Sequence, residues 1–262
     1  MNITLIGAGN LATQLGLALQ EKGHRFEQVF SRTAESAEAL AFLLGAEVVT
    51  RPELVRPGAD LYICALKDDA LSDVLSGIQV GNALMVHTAG SVPMDVLSVC
   101  TSDYGVIYPL QTFSKGRKVE FRSIPFYIEA VRPESLQVIQ ALVADLSDTV
   151  RVVDSEHRKY IHLAAVFASN FVNYLYAISG DILQEQQLSF DDMLPLIDEV
   201  ARKVHTMTPS KAQTGPAVRY DQQVMGKQLA LLQNHPEWAQ LYELLSKGIH
   251  KQATDKAAST NN

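Results

Sequence analysis

The first twelve residues restrict this chain more than any other stretch. Asn2-Ile3-Thr4-Leu5-Ile6 reads as a short strand and runs directly into Gly7-Ala8-Gly9-Asn10-Leu11-Ala12. A helix-period pattern follows from Asn10 to Lys22 and stops at Gly23. The turn fits G-x-G-x-x-[GA], and a strand before it with a helix after it is the context a dinucleotide-binding fingerprint needs. Gly7 allows the tight turn, Gly9 lets a pyrophosphate approach the backbone, and Ala12 lets the helix pack close to the sheet. Free N–H groups at the helix start then face the phosphates, assisted by the helix dipole. A glycine turn without a ligand is the competing reading. It does not account for the βαβ pattern that continues downstream.

That pattern alternates short apolar runs with helical segments. Strands are expected at Ile3–Ile6, Phe26–Phe30, Glu47–Val49, Leu61–Leu66, Leu84–His87, Gly105–Tyr108, Pro125–Glu129 and Val150–Val153. Helices are expected at Ala34–Leu44 and from Pro133 to Leu146. Such alternation predicts an α/β fold: a Rossmann-type, mostly parallel sheet with helices on both faces. The unbroken apolar run Leu61-Tyr62-Ile63-Cys64-Ala65-Leu66 suits a strand buried on both sides. After Asp154 the strand signals stop. Long helical patterns cover Glu156–Gln184, Asp191–His205, Val218–Gln233 and Pro236–Lys251, so an all-α C-terminal domain is expected. The expected division is a nucleotide-binding domain at 1–154, a helical dimerisation and substrate domain at 155–256, and a frayed tail at 257–262.

A net charge of −7 argues against a basic nucleic-acid footprint. The two cysteines, Cys64 and Cys100, lie in apolar stretches and read as buried free thiols in a reducing compartment. The N-terminus has no basic segment followed by an apolar one and a cleavage site. The longest apolar stretch, His162–Ile178, is interrupted by Ser169, Asn170 and Asn173. It reads as a buried core helix rather than a membrane span, which wants ~20 predominantly apolar residues. A cytoplasmic protein with no membrane or nucleic-acid partner is therefore expected. Neither H-x-x-x-H nor C-x-x-C occurs, so no metal site is expected.

The cofactor is expected to be NADP. An NAD site usually carries Asp or Glu at the end of the second strand to bind the ribose hydroxyl. Here Ser31-Arg32-Thr33 occupies that place. Arg32 can fork onto a 2′-phosphate, with two hydroxyls adding hydrogen bonds. The missing carboxylate also argues against S-adenosylmethionine. In open α/β sheets ligands lie beyond the carboxyl ends of the strands, where Leu66-Lys67-Asp68, His87-Thr88 and Gln111-Thr112 should converge. The expected cofactor-binding set is Gly7, Gly9, Asn10, Leu11, Ala12, Ser31, Arg32, Thr33, Leu66, Lys67 and His87. His87 is open to two readings, a proton shuttle or a hydrogen-bonded structural residue. On an ideal helix at ~100° per residue, His162 and Asn173 lie about 20° apart, with Ser169 and Asn170 nearby. Buried polar groups need partners, here either a substrate or a neighbouring helix. Arg219 and Asp221 follow Gly215-Pro216. Arg219 either clamps a substrate carboxylate or joins a local salt bridge.

The Gly7–Ala12 turn and Phe30-Ser31-Arg32-Thr33 resemble the 6-phosphogluconate dehydrogenase-like superfamily, which includes the pyrroline-5-carboxylate reductases and the 3-hydroxyacid dehydrogenases. Ala65-Leu66-Lys67-Asp68-Asp69 is similar to the reductases' loop after the fourth strand. Three further segments resemble a bacterial branch in which a Rossmann-like domain joins a helical domain of unknown function. They are His87-Thr88-Ala89-Gly90-Ser91, Tyr108-Pro109-Leu110-Gln111-Thr112-Phe113 and Thr214-Gly215-Pro216-Ala217-Val218-Arg219-Tyr220-Asp221. The resemblance spans nearly the whole chain except the tail. It implies an NADP-dependent oxidoreductase, usually a homodimer through the helical domain, and it brings no substrate with it. The superfamily's hydroxyacid dehydrogenases carry a lysine four residues before an asparagine on this helix. Asn170 resembles that asparagine, and Val166 stands at the lysine position, so simple hydroxyacid chemistry fits less well than carbonyl or imine reduction. The expectation is hydride transfer to or from a small carbonyl or imine in the interdomain cleft. His162, Asn170, Asn173 and Arg219 form the expected catalytic set. A non-catalytic NADP-binding or sensing dimer is the alternative.

Overall fold

The computed structural model describes residues 1–260, with side chains through residue 255. The expected frayed tail, 257–262, lies outside the residues described in full. The chain forms two compact units, Met1–Phe171 and Val172–Asn262.

The first unit is built on an eight-stranded sheet in the order β3-β2-β1-β4-β5-β6-β7-β8. Its strands are β1 (Asn2–Ile6), β2 (Arg25–Phe30), β3 (Glu47–Val49), β4 (Leu61–Cys64), β5 (Leu84–His87), β6 (Tyr104–Pro109), β7 (Phe126–Ala130) and β8 (Val150–Val152). All neighbours are parallel except β6 and β7, which pair antiparallel. The chain crosses over between β3 and β4, so β1 lies between β2 and β4 with its carboxyl end at the switch in direction. Ligands bind at such a point.

Side chains alternate through the sheet with period two. Leu5, Ile63 and Val86 join a core with Leu15 and Leu19 of α1 (Asn10–Glu21) and Leu40 and Leu44 of α2 (Ala34–Leu44). Tyr62, Cys64 and Met85 point the other way, into a second core with Leu71, Val74 and Leu75 of α3 (Leu71–Leu75). Helix α4 (Pro133–Ala144) adds Ile139, Leu142 and Val143 to the first core. Both cysteines are buried free thiols. Each fully buried Leu or Ile contributes about 1.5–3 kcal/mol, so these two cores set the plane of the sheet.

The change from α/β to helix comes where the sequence places it, between β8 and α5 (Ser155–Ala165). The compact units divide later, inside the helical run that continues through a π turn, Val166–Phe171, into α6 (Val172–Glu185). A buried cation fixes the start of this run. Arg158 of α5 has no exposed surface, pairs with Glu129 of β7, and donates to the Val92 carbonyl and the Ser155 hydroxyl. An ion pair held in this way ties α5 to the sheet.

The second unit holds α6, α7 (Leu194–Thr206), α8 (Pro209–Ala212), α9 (Pro216–Arg219), α10 (Gln222–Leu231) and α11 (Pro236–Thr260). The single helix expected over Val218–Gln233 is broken. Tyr220 adopts φ +52°, and the Asp221 carboxylate accepts from the Val224 N–H at 3.2 Å, which starts α10 afresh. Such a cap satisfies an N–H that the first turn leaves free. Tyr220 lies against His250 of α11, with ring centroids 4.8 Å apart and the planes tilted by 35°.

One expectation is overturned. The apolar run His162–Ile178 is not a buried core helix in this chain. Leu163, Phe167, Phe171 and Tyr174 are exposed, Phe167 by 62%. The run Ser155–Glu185 is long and apolar enough, by length and composition, to cross a membrane. Helix α7 likewise exposes Leu196, Val200 and Val204 at four-residue spacing. The apolar stripe was legible in the residue pattern, but not what covers it.

Candidate nucleotide and catalytic site

The turn between β1 and α1 is shaped by two glycines with different duties. Gly7 has φ +114°, and a Cβ there would lie 2.3 Å from the Ala65 carbonyl oxygen beyond β4. Backbone conformation and space both exclude a side chain. Around Gly9 nothing lies within 4 Å of where a Cβ would be. That open space is what a pyrophosphate needs to reach the backbone. Gly9 is also the N-cap of α1, with no side-chain cap and no acidic residue in the first turn, so the leading N–H groups stay available to an anion. Ala12 is fully buried, as the fingerprint requires. Leu11 packs on the first core, so this residue serves the site through its backbone. The Asn10 amide turns away and donates to the Phe113 carbonyl at 2.9 Å. Gln14 holds the same loop through the carbonyls of Ser114 and Lys115, both at 3.1 Å.

The end of β2 lies against this turn, with the Gly7 N–H donating to the Phe30 carbonyl at 2.8 Å. Ser31 is anchored by its N–H to Val49, and its hydroxyl accepts from the Thr33 N–H at 3.2 Å. Arg32 is exposed and has no ion-pair partner among the described residues. A guanidinium with free donors beside the turn suits a 2′-phosphate. Leu66 lies over Gly7, 3.3 Å from the position of the absent Cβ, and Lys67 is exposed at the same strand end.

The next strand end is different. His87 has no exposed surface. Its Nδ1 accepts from the Ala89 N–H at 3.1 Å and its Nε2 lies 3.3 Å from the Pro93 carbonyl. Burial first, and the nearby Arg158 cation second, push its pKa down to about 4. With both nitrogens engaged and the ring neutral, His87 is a structural residue that shapes the loop after β5. The expectation that its side chain binds the cofactor or shuttles a proton is corrected.

Past β6 the chain builds a cavity of about 230 Å³, walled by Leu110, Gln111 and Thr112 on one side and His162, Val166, Ser169 and Asn170 on the other. Tyr108 closes one end, its hydroxyl 3.0 Å from His162 Nδ1. The cavity thus brings together His162 and Asn170 of the expected catalytic set, together with the strand-end loop Gln111-Thr112. Asn173 is not part of its wall. The wheel that placed Asn173 beside His162 assumed α-helical register, and the π turn at Val166–Phe171 intervenes. One inserted residue rotates the remainder of a helix by about 100°.

Residues 2–89 match the model of the family described as NADP oxidoreductase, coenzyme F420-dependent. Residues 124–249 match a domain of unknown function, DUF2520. A Bacteroides fragilis protein assigned as an NADP oxidoreductase is 52% identical, with 95% of this chain and 98% of that chain covered and a TM-score of 0.92. The chain belongs to the NADP oxidoreductases. A reductive aminase from Aspergillus terreus, in complex with NADPH and ethyl-5-oxohexanoate, aligns over 97% of this chain and 94% of that one at 16% identity and a TM-score of 0.66. An imine reductase from Myxococcus stipitatus, in complex with NADP+, aligns over 99% and 95% at 15% identity and 0.62. These two likenesses are of fold. A comparison with curated proteins found no match.

Within this oxidoreductase, Arg219 is exposed at the end of α9 in the second unit. It makes no salt bridge with Asp221, whose carboxylate is occupied in capping α10. Sequence reasoning passed over two members of the first unit's site. Tyr108 lay inside the Tyr108–Phe113 motif without a role, and Arg158 lay inside the Glu156–Gln184 helical pattern without one. A tyrosine at a strand end two residues before the cavity loop was the available signal for the first. A lone basic residue on a helix whose preceding strand carries Glu129 was the signal for the second.

Proposed function

We propose that this oxidoreductase reduces the C=O or C=N bond of a small polar molecule, with NADPH as the reductant, and that it works as a homodimer. One observation carries the reading. The loop after β6 belongs to both halves of the site: Leu110, Gln111 and Thr112 wall the cavity, and the next residue, Phe113, takes the Asn10 amide from the start of α1. Nucleotide turn and cavity are thereby held in one rigid piece, which is what positioning a substrate for transfer requires. The Gly7–Ala12 backbone and Ser31, Arg32 and Thr33 fit the phosphates of NADP, and Leu66 and Lys67 stand beside them. Bound NADPH supplies a hydride to the substrate carbon.

The chain's own residues supply the rest. His162 delivers a proton to the carbonyl oxygen or imine nitrogen, the role histidine suits near neutral pH. Asn170, Ser169, Gln111 and Thr112 offer hydrogen bonds that orient a polar substrate. Val166, on the same wall, leaves the proton to His162. Arg219 is the candidate for holding a substrate carboxylate. The dimer reading rests on the uncovered stripes of the helical run and of α7, since exposed apolar stripes of this kind mark association faces. Twofold dimers are its commonest outcome.

The test is NADPH oxidation, followed by absorbance, against a panel of small keto acids, aldehydes, ketones and cyclic imines. Turnover with at least one member and saturable NADPH binding by calorimetry are expected. NADPH binding without oxidation across the panel would overturn the carbonyl or imine assignment.

A further inference from the structure

The proton donor His162 is held from behind by two residues that have no part in the proposed reduction so far. Tyr108, at the end of β6, is 8% exposed, and its hydroxyl lies 3.0 Å from Nδ1 of His162. The two rings meet edge to face, with centroids 5.9 Å apart. Gly90 closes the other side. A Cβ there would stand 2.6 Å from both Cγ and Nδ1 of the ring, so only a glycine admits the imidazole. Nε2 of His162 has no hydrogen-bond partner among the described residues, and the residue lines the cavity.

We propose that Tyr108 is a positioning residue for proton delivery: its hydroxyl holds the Nδ1 edge of His162 over Gly90 and so presents Nε2 to the substrate. The proposal rests on the reductase reading. A phenol suits the task because its hydrogen rotates. Towards a neutral ring the hydroxyl donates to bare Nδ1, which leaves the hydrogen on Nε2. Towards a protonated ring it accepts from Nδ1–H, and Nε2 again carries a hydrogen. Burial, with the neighbouring Tyr127 adding to it, pushes the Tyr108 pKa up to about 12, so the phenol stays intact and capable of both roles.

Hydride addition at the substrate carbon moves the π electron pair of the C=O or C=N bond onto the heteroatom. The Nε2–H bond of protonated His162 breaks, a new O–H or N–H bond forms, and the electron pair stays on Nε2. The ring is then neutral with Nδ1–H still donating to the Tyr108 oxygen, and a solvent hydronium ion returns to Nε2 the one proton that each reduction consumes. No phenolate forms at any stage.

The experiment compares the wild type with Tyr108→Phe, which keeps the ring packing, and Gly90→Ala, which leaves Tyr108 intact but crowds the imidazole. The first readout is the ¹⁵N NMR spectrum of His162 without substrate. Tyr108→Phe should shift the Nδ1 resonance and remove its hydrogen-bonding signature, with folding otherwise unchanged. The second readout is turnover of whichever panel member the wild type reduces. Both variants should lower kcat by about 10- to 100-fold, a part of the roughly 10²- to 10⁴-fold that general acid catalysis supplies. KM and NADPH affinity should change less than about twofold, and the solvent isotope effect on kcat should rise. An unchanged Nδ1 resonance, or wild-type kcat in Tyr108→Phe, would overturn the proposal. Should the wild type reduce nothing on the panel, the reductase reading fails by itself, and the NMR arm still decides whether Tyr108 holds the ring.

Discussion

His87 makes acid stability a sharp test of the site's architecture. The ring is fully buried, its nitrogens face backbone groups of Ala89 and Pro93, and the Arg158 cation stands nearby. Its pKa falls from the ordinary 6.5 to about 4. Above pH 6.5 the folded and unfolded chains both hold a neutral imidazole, and the stabilisation is complete. Between 6.5 and 4 the unfolded chain takes up a proton that the folded one refuses, so stability falls as the pH falls. The gap corresponds to about 3 kcal/mol at roughly 1.4 kcal/mol per pH unit. Urea denaturation from pH 7.5 to 4 measures it, with His87→Asn as the reference. Asparagine keeps an acceptor near the Ala89 N–H and cannot titrate. The smaller side chain lowers the variant's stability by an offset that does not depend on pH. The slope carries the information: the wild type should lose about 2–3 kcal/mol more than the variant across this range. Parallel curves would show that His87 is solvated or already charged, and the structural reading of the ring would be wrong.

Four other outcomes rest on the same geometry. Gly9→Ala meets open space and an ordinary φ of −80°. Its melting temperature should stay within about 2 °C of wild type, and its NADPH affinity by calorimetry should drop at least about tenfold, because the added methyl occupies the pyrophosphate approach; unchanged affinity would refute the placement of the phosphates. Arg32→Ala should erase a preference for NADP over NAD of about 10- to 100-fold, the worth of one charge-assisted hydrogen bond of about 1.5–3 kcal/mol; a variant that keeps the preference would point away from this arginine. Glu129→Gln leaves the Arg158 cation buried without its counter-charge and should cost about 3–5 kcal/mol in chemical denaturation, and a loss below about 1 kcal/mol would mean the pair is solvated. The wild type should scatter light as a dimer at micromolar concentration and Val200→Glu as a monomer; a wild-type monomer would refute the association face.

How much of this was legible in the sequence depends on how local each cause is. The strand–turn–helix at Gly7–Ala12 was readable because its three constraints sit within six residues. The sheet was readable because strands buried on both faces write continuous apolar runs, as at Leu61–Cys64. Ala34–Leu44 and Glu47–Val49 fall at the expected bounds because Gly45, at φ +66°, ends one element just before the next begins. What escaped was set by distant partners. Arg158 looks like a solvated helix residue until Glu129, from a strand nearly thirty positions earlier, buries it. That one pair ties the first turn of the long helix to the sheet, and the first compact unit runs on to Phe171.

The π turn escaped for a related reason. No residue type in Val166-Phe167-Ala168-Ser169-Asn170-Phe171 marks a π turn, and the change of register is visible only in the folded chain, just after His162 meets Tyr108 and Gly90. The wheel therefore grouped His162 with Ser169, Asn170 and Asn173, whereas the cavity wall holds the first three and not Asn173. Single-turn π segments are often found at functional sites. Here the turn has a visible consequence. It lies between His162 and the remainder of the helix, and four of its residues, Val166, Ala168, Ser169 and Asn170, line the cavity. Tyr108 shows the same dependence on distance. As a strand residue it is an unremarked aromatic, and its hydroxyl finds a partner only in a histidine 54 positions away. The hydrogen bond between Tyr108 and His162 is written in two segments, and each taken alone predicts nothing more than a buried ring and a polar helix residue.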